Sequence, residues 1–374
     1  MQQVVNNPLV QNKRRKNMKK ALALILTLVM VLGVVACGQK QAEPAQTPTQ
    51  TESQPQAQTS ESEIDWSKEA KFTLKLGHEQ PDGHPYDMGA KKFAELVEQY
   101  SGGSIHVDVF PQSSLGNAAA MAESVDMGTL DFSSVFSIQL ESFCPDLGVL
   151  TLPYCFSSWD HCFAALDGDF GTKLKEACLK TSNIRILDFW ANGLAQVHST
   201  TEIRTPDQMA GKKFRIQTGA TYAALSEALN AVTTPMALKE VYAALQMGAM
   251  DCQLQTIVNI DKQAFYEVAK YYTEINMCFN TNPFIMSNET WNKLSANQQE
   301  AVVKAAREAC VYEREQLIGS MDSSMEKAVA GGLQVIKLTD AELQQWRDAC
   351  TKVYENPNFS GLMPLFEEAQ TYKK

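Results

Sequence analysis

Little in this 374-residue chain is basic once its first 36 residues are set aside. Those 36 hold six basic side chains and no acidic one, and the remainder has 27 basic residues against 43 acidic, a net charge of −16. A protein that neutralises phosphates needs a basic surface, so nucleic-acid binding is excluded. Beyond residue 36 no apolar run reaches the ~20 residues that span a bilayer, which excludes a polytopic membrane protein. Catalytic signatures are missing too: there is no P-loop, no G-x-G-x-x-G, no H-E-x-x-H, no G-x-S-x-G and no C-x-x-C. Histidines number five, and His78, Glu79 and His84 fit no familiar zinc spacing, so neither a metal nor a cofactor is expected. Eight cysteines follow Cys37, several in apolar contexts such as Pro153-Tyr154-Cys155-Phe156, and they read as buried free thiols.

What is present begins with an address. Lys13, Arg14, Arg15, Lys16, Lys19 and Lys20 precede an apolar stretch from Ala21 to Val35, the pattern of an export signal over residues 1–36, with Met18 a better start than Met1. Val34-Val35-Ala36-Cys37 resembles the lipobox of bacterial lipoproteins, which implies a diacylglyceryl group on Cys37 and a protein held at the outer side of the cell membrane. Residues 37–66 are rich in Gln, Thr, Ser, Pro and Glu and have too little apolar surface to fold, so they read as a disordered tether. Residues 67–374 are then the folded body.

That body alternates strand and helix patterns. Phe72, Leu74 and Leu76 recur with period 2, and Phe93, Leu96, Val97 and Tyr100 with helical spacing before the stop at Gly102-Gly103. Ile105, Val107 and Val109 predict a second strand. Asn117 caps a helix to about Met127, and Leu130–Phe136 predicts a third strand. The order β-α-β-α-β argues for an α/β fold with a mainly parallel sheet. Met127-Gly128-Thr129-Leu130-Asp131 is echoed 120 residues later by Met247-Gly248-Ala249-Met250-Asp251, by duplication or by chance. Ser295 to Ala330 reads as one helix, long enough to bridge two lobes. In Lys213-Phe214-Arg215-Ile216-Gln217 a strand pattern sets Arg215 either in a surface ion pair or in a cleft, where its guanidinium would pair with a carboxylate.

Pro206-Asp207-Gln208-Met209-Ala210-Gly211-Lys212-Lys213-Phe214-Arg215 resembles the signature of solute receptors of tripartite ATP-independent periplasmic (TRAP) transporters. So do Pro235-Met236, Glu240-Val241-Tyr242-Ala243-Ala244-Leu245-Gln246, Leu152-Pro153-Tyr154, Phe265-Tyr266-Glu267-Val268 and Ser287-Asn288-Glu289-Thr290-Trp291. The resemblance runs from about Lys71 to the C-terminus. It implies a two-lobed periplasmic-binding-protein-like α/β fold with a long helix spanning both lobes: lobe I about 71–192 plus 281–345, lobe II about 193–280 plus 346–374. It further implies a monomeric, non-enzymatic receptor that closes on a small organic carboxylate and delivers it to membrane permease subunits, with Arg215 holding the carboxylate. A chemosensory receptor with the same pocket, or a surface hydrolase, is the alternative.

Several pocket positions depart from the family's sialic-acid receptors. Ala195 stands where a second arginine is expected, Phe136 where an acid is, Leu254 and Gln255 where Glu and Asn are, Leu238 where Phe is, and Glu79 where a neutral amide is. These changes remove polar partners and predict a monocarboxylate with an apolar or aromatic body, held against Phe136, Leu238 and Leu254 beside Gln217 and Gln255. Trp190 reads equally as a wall of the pocket or as a core residue, and Glu79 either accepts a ligand hydrogen or faces water.

Overall fold

A computed structural model describes residues 64–373; the expected signal, Cys37 and nearly all of the tether lie outside them. Trp66–Lys68 forms a short 3-10 turn and the Trp66 ring packs against Gly102, so chain that joins the body begins just before residue 67. Strand β1 (Phe72–His78) buries Leu74 and Leu76 as its alternation requires. Helix α1 (Pro85–Tyr100) starts where His84 Nδ1 accepts the Tyr86 N–H and Pro85 fills the first turn. Its stop uses Gly102 and Gly103, both at positive φ. Strand β2 (Ile105–Phe110) follows, then α2 (Ala118–Asp126), whose cap Asn117 accepts the Ala120 N–H at 2.9 Å. Strand β3 is only Phe132–Ser134, shorter than the pattern predicts. At its start Leu130 N–H still bonds back to the Ser124 carbonyl, and after Ser134 the chain coils into a 3-10 turn over Ser137–Leu140.

The order strand–helix–strand–helix–strand then recurs. After the long β4 (Ile184–Ser199) come β5 (Lys213–Ile216), α3 (Ala220–Ala228), β6 (Val232–Pro235), α4 (Val241–Gln246) and β7 (Cys252–Gln255). In each set the first strand lies between the other two and parallel to both. The five-residue echo falls at matching places. Met127 and Met247 end their helices, and Gly128 (φ 73°) and Gly248 (φ 68°) make the turn. Asp131 and Asp251 each accept a backbone N–H of the neighbouring first strand at 2.8 Å, from Lys75 and Lys213. One supersecondary unit is built twice.

Helix α5 (Ile257–Lys262) follows β7, then β8 (Tyr271–Ser287), the long helix α6 (Ala296–Ala330) and β9 (Gln334–Ile336). The strands form one sheet in the order β2-β1-β3-β8-β4-β7-β5-β6, with β9 on β8. It is mixed rather than mainly parallel, because β4 and β8 run antiparallel through its centre and join the two units. Their pairing slips at Ile186/Asp188, Ala191/Gly193 and Ala195/Val197. At ~1.5 Å per residue the 35-residue α6 is about 52 Å long, and it packs on α1, β4 and α5. A Ser295–Gln298 capping box starts it, and Ala301, Ala305, Ala306, Ala309 and Cys310 give the close face. All eight cysteines of the body are buried and unbridged.

Candidate functional site

In sheets of this kind ligands collect at the carboxyl ends of parallel strands. The ends of β1, β3, β5 and β7 converge here on one cavity. Glu79 and Gln80 follow β1, Ser134 and Phe136 come from the end of β3, Ile216 and Gln217 from β5, Leu254 and Gln255 from β7. Tyr86 of α1, Tyr222 of α3 and Asn259 of α5 close the sides, while Asn192 of β4 and Asn280 and Asn282 of β8 form the floor where those strands cross. A more open recess continues outward between Asn117–Ala119 and Pro235–Glu240, sharing Glu79, Arg215, Gln217 and Leu238.

Arg215 lies on a strand buried on both faces, since Phe214, Arg215 and Ile216 are all inaccessible; alternation alone predicts one buried face. Its Nε and Nη2 both donate to the Met236 carbonyl, at 3.1 and 2.9 Å. One edge of the guanidinium is thereby fixed, and Nη1 with the second Nη2 hydrogen is left for another acceptor. No carboxylate of the described residues lies within ion-pairing distance of it. Burial pushes the Arg215 pKa down to about 10, against the opposing pull of Glu79, Tyr222 and Glu240, so it stays cationic at neutral pH. Glu79 faces the same space. Burial pushes its carboxyl above the usual range, while the Ala118 amide at the start of α2, Arg215 and Lys239 hold it down.

Around these two charges the walls are mostly polar. The Tyr86 and Ser134 hydroxyls and Asn192 Oδ1 are buried with no hydrogen-bond partner in the protein, and the Tyr222 hydroxyl and Asn280 Oδ1 lack one of ordinary geometry. Asn192 Nδ2 donates to Asn282 Oδ1 at 2.9 Å, which aims its oxygen elsewhere. Apolar wall comes from Phe136, Ile216, Leu238 and Leu254.

The structure thus brings Glu79, Phe136, Arg215, Gln217, Leu238, Leu254 and Gln255 to one cavity. Trp190 is the exception. It is fully buried behind the wall, stacked on Phe284 at 4.8 Å and tilted against Tyr86 at 6.1 Å, and so belongs to the core. Sequence reasoning passed over Tyr86, Ser134, Asn192, Tyr222, Asn259, Asn280 and Asn282. No local pattern marks Asn280 or Asn282: Thr281 between them is polar too, and the run Phe279–Phe284 follows no period of two.

Comparison with known proteins adds a family. The model of bacterial extracellular solute-binding protein, family 7, matches residues 76–359. A 2,3-diketo-L-gulonate-binding periplasmic protein of Escherichia coli is 28% identical over 311 residues, 81% of this chain and 94% of its own. A TRAP periplasmic solute binding protein of Roseobacter denitrificans with bound L-galactonate has a TM-score of 0.76 at 27% identity, over 81% of this chain and 99% of that one. Another, from Sulfurospirillum deleyianum with bound succinate, also reaches 0.76 at 27% identity, over 81% of this chain and all of that one.

Proposed function

This chain belongs to family 7 of the bacterial extracellular solute-binding proteins, the receptors of TRAP transporters, and from that premise we propose that it captures a polyhydroxylated monocarboxylate, a sugar acid, in the cavity around Arg215. It is a receptor for small organic acids and not an enzyme. The observation that carries the finer reading is the combination of one buried cation with a ring of unpartnered hydroxyl and amide groups.

The free edge of Arg215 offers a bidentate, charge-assisted dock for a single carboxylate. A second carboxylate would meet no second cation, because Arg215 is the one basic residue among those lining the cavity. An apolar or aromatic body, which the pocket substitutions predict, fits these walls poorly. It would bury Tyr86, Ser134 and Asn192 without partners, at about 1–3 kcal/mol for each group left unpaired. Ligand hydroxyls remove that cost, and Phe136, Leu238 and Leu254 then cover the carbon face of the molecule. Glu79 accepts one hydroxyl hydrogen beside the carboxylate.

Among similar proteins, the E. coli relative is named for binding 2,3-diketo-L-gulonate and the R. denitrificans one was solved with L-galactonate, both hydroxylated monocarboxylates, while the S. deleyianum one was solved with succinate, so the choice between the two classes rests on the single cation and the polar walls of the cavity. In our reading the lobes, 71–192 with 281–345 and 193–280 with 346–374, close on the ligand about the β4/β8 crossing. Cys37 carries a lipid that keeps the receptor beside its permease.

Isothermal titration with L-galactonate, D-glucuronate, succinate and butyrate tests the reading. The hydroxylated acids should bind at least 100-fold more tightly than butyrate and more tightly than succinate, and Arg215→Ala should abolish binding of all of them. Preference for butyrate or succinate would overturn the sugar-acid assignment.

A further inference from the structure

Behind the cavity a run of buried side chains points in one direction. His84 Nε2 lies 2.9 Å from Asn259 Oδ1, Asn259 Nδ2 is 2.9 Å from Gln255 Oε1, and Gln255 Nε2 makes a long 3.5 Å contact with Gln253 Oε1. Gln253 Nε2 then reaches His198 Nδ1 at 3.3 Å, and His198 Nε2 the Ala269 carbonyl at 2.9 Å. Amide orientation and histidine tautomer are usually free choices. Here both ends abut backbone groups, which have no choice. Tyr86 N–H donates to His84 Nδ1, so the His84 proton is on Nε2. Ala269 offers only a carbonyl oxygen, so the His198 proton is on Nε2 and its Nδ1 accepts. Every amide between them is then oriented.

The consequence reaches the cavity, because Gln255 and Asn259 line it. Gln255 Oε1 is spent on the Thr256 N–H at 3.0 Å and on Asn259, and Asn259 Oδ1 is turned to His84. What each amide has left over is an N–H hydrogen. We infer that the relay makes Gln255 and Asn259 a hydrogen-bond donor subsite, which selects ligands presenting an acceptor oxygen there and rejects those presenting an ammonium group. His84 and His198 are positioning residues for this selectivity, although neither lines the cavity. The inference rests on the sugar-acid reading for its ligand but not for the relay itself.

The relay requires both imidazoles neutral. His84 is faced by His78, Asp87 and Lys262, and burial holds its pKa down to about 3; burial likewise holds His198 down to about 4. Both are fully inaccessible.

Two measurements test the inference. In proton–carbon NMR of the ligand-free protein, the ring Cε1–H signals of His84 and His198 should stay in place from pH 8 to pH 5; a titration near 6.5 for either one overturns the relay. Titration calorimetry with D-gluconate and its 2-amino-2-deoxy and 6-amino-6-deoxy analogues tests the subsite. The wild type should bind gluconate at least ten-fold more tightly than the analogue whose ammonium meets the wall. Asn259→Asp, which sets an acceptor in the donor's place, should weaken gluconate at least ten-fold and reverse that preference. Unchanged affinities and ranking in Asn259→Asp, with gluconate binding still lost in Arg215→Ala, overturn the donor subsite alone. Failure of every carboxylate to bind the wild type would instead remove the sugar-acid reading.

Discussion

Arg215 meets its ligand with two of its hydrogens already committed to the Met236 carbonyl, and this geometry is why charge alone will not replace it. A lysine at this position would carry a point charge with no second edge to hold Met236 and no fork for a carboxylate. Arg215→Lys should therefore lose roughly 10–100-fold in affinity, from the ~1.5–3 kcal/mol of a charged hydrogen bond, while still folding; calorimetry and a melting curve separate the two effects. Glu313 shows the opposite case, a buried charge site with no ligand to serve. It sits on α6 with Oε2 accepting the Ala191 N–H at 2.9 Å and Oε1 unpartnered. Burial pushes its carboxyl well above the ordinary range, and the Ala191 amide and Arg314 only partly offset this. A carboxyl whose folded pKa exceeds its unfolded one binds more protons in the native state, so stability falls as pH rises between the two values. Glu313→Gln should remove that penalty. The variant should melt above wild type at pH 8, with the gap closing toward pH 5; a lower melting temperature at every pH would show that the negative charge itself is needed.

At the scale of elements, the two copies of the β-α-β-α-β unit give a paired experiment. Asp131 and Asp251 do the same work, each accepting the N–H of the first strand in its own unit, and Asp131 also accepts the Thr290 hydroxyl at 2.7 Å. Asp131→Ala and Asp251→Ala should each cost about 1–3 kcal/mol in urea unfolding, with Asp131→Ala the larger because it strands a second donor. The echo around these two aspartates was visible in the sequence, as were β1, β2, α2 and the bounds of α6. Their caps and periods are local: Asn117 lies next to the helix it starts, and Ser295 and Gln298 sit within one turn. Strands β4 and β8 were not legible, because they are covered on both faces and their residues follow no period of two. For the same reason the floor of the cavity was hidden. Asn192 and Asn282 pair across 90 residues, and nothing near either one marks it as a ligand group. Arg215 and its neighbours were found through family resemblance rather than spacing, and the departures from the family pattern show only which polar groups are lost, while Tyr86, Asn280 and Asn282 bring polarity to the cavity from other elements.

The whole molecule presents its ligand with the wrong charge. Residues 64–374 hold 26 basic and 39 acidic side chains, a net −13, and the ligand class is anionic. Long-range repulsion should then slow encounter, and capture must depend on the short-range field of Arg215, whose reach is limited by Glu79 beside it. The Debye length shortens from ~30 Å at 0.01 M salt to ~8 Å at 0.15 M, which screens the body from an approaching anion but leaves a buried contact nearly untouched. Salt should therefore speed association and leave dissociation alone. In stopped-flow fluorescence with L-galactonate or whichever sugar acid binds, the association rate constant should rise between these two ionic strengths while the dissociation rate constant stays constant. A rate that falls with salt would mean that the cleft's own potential, focused between low-dielectric walls, outweighs the charge of the body, and that the acidic surface faces away from the path of capture.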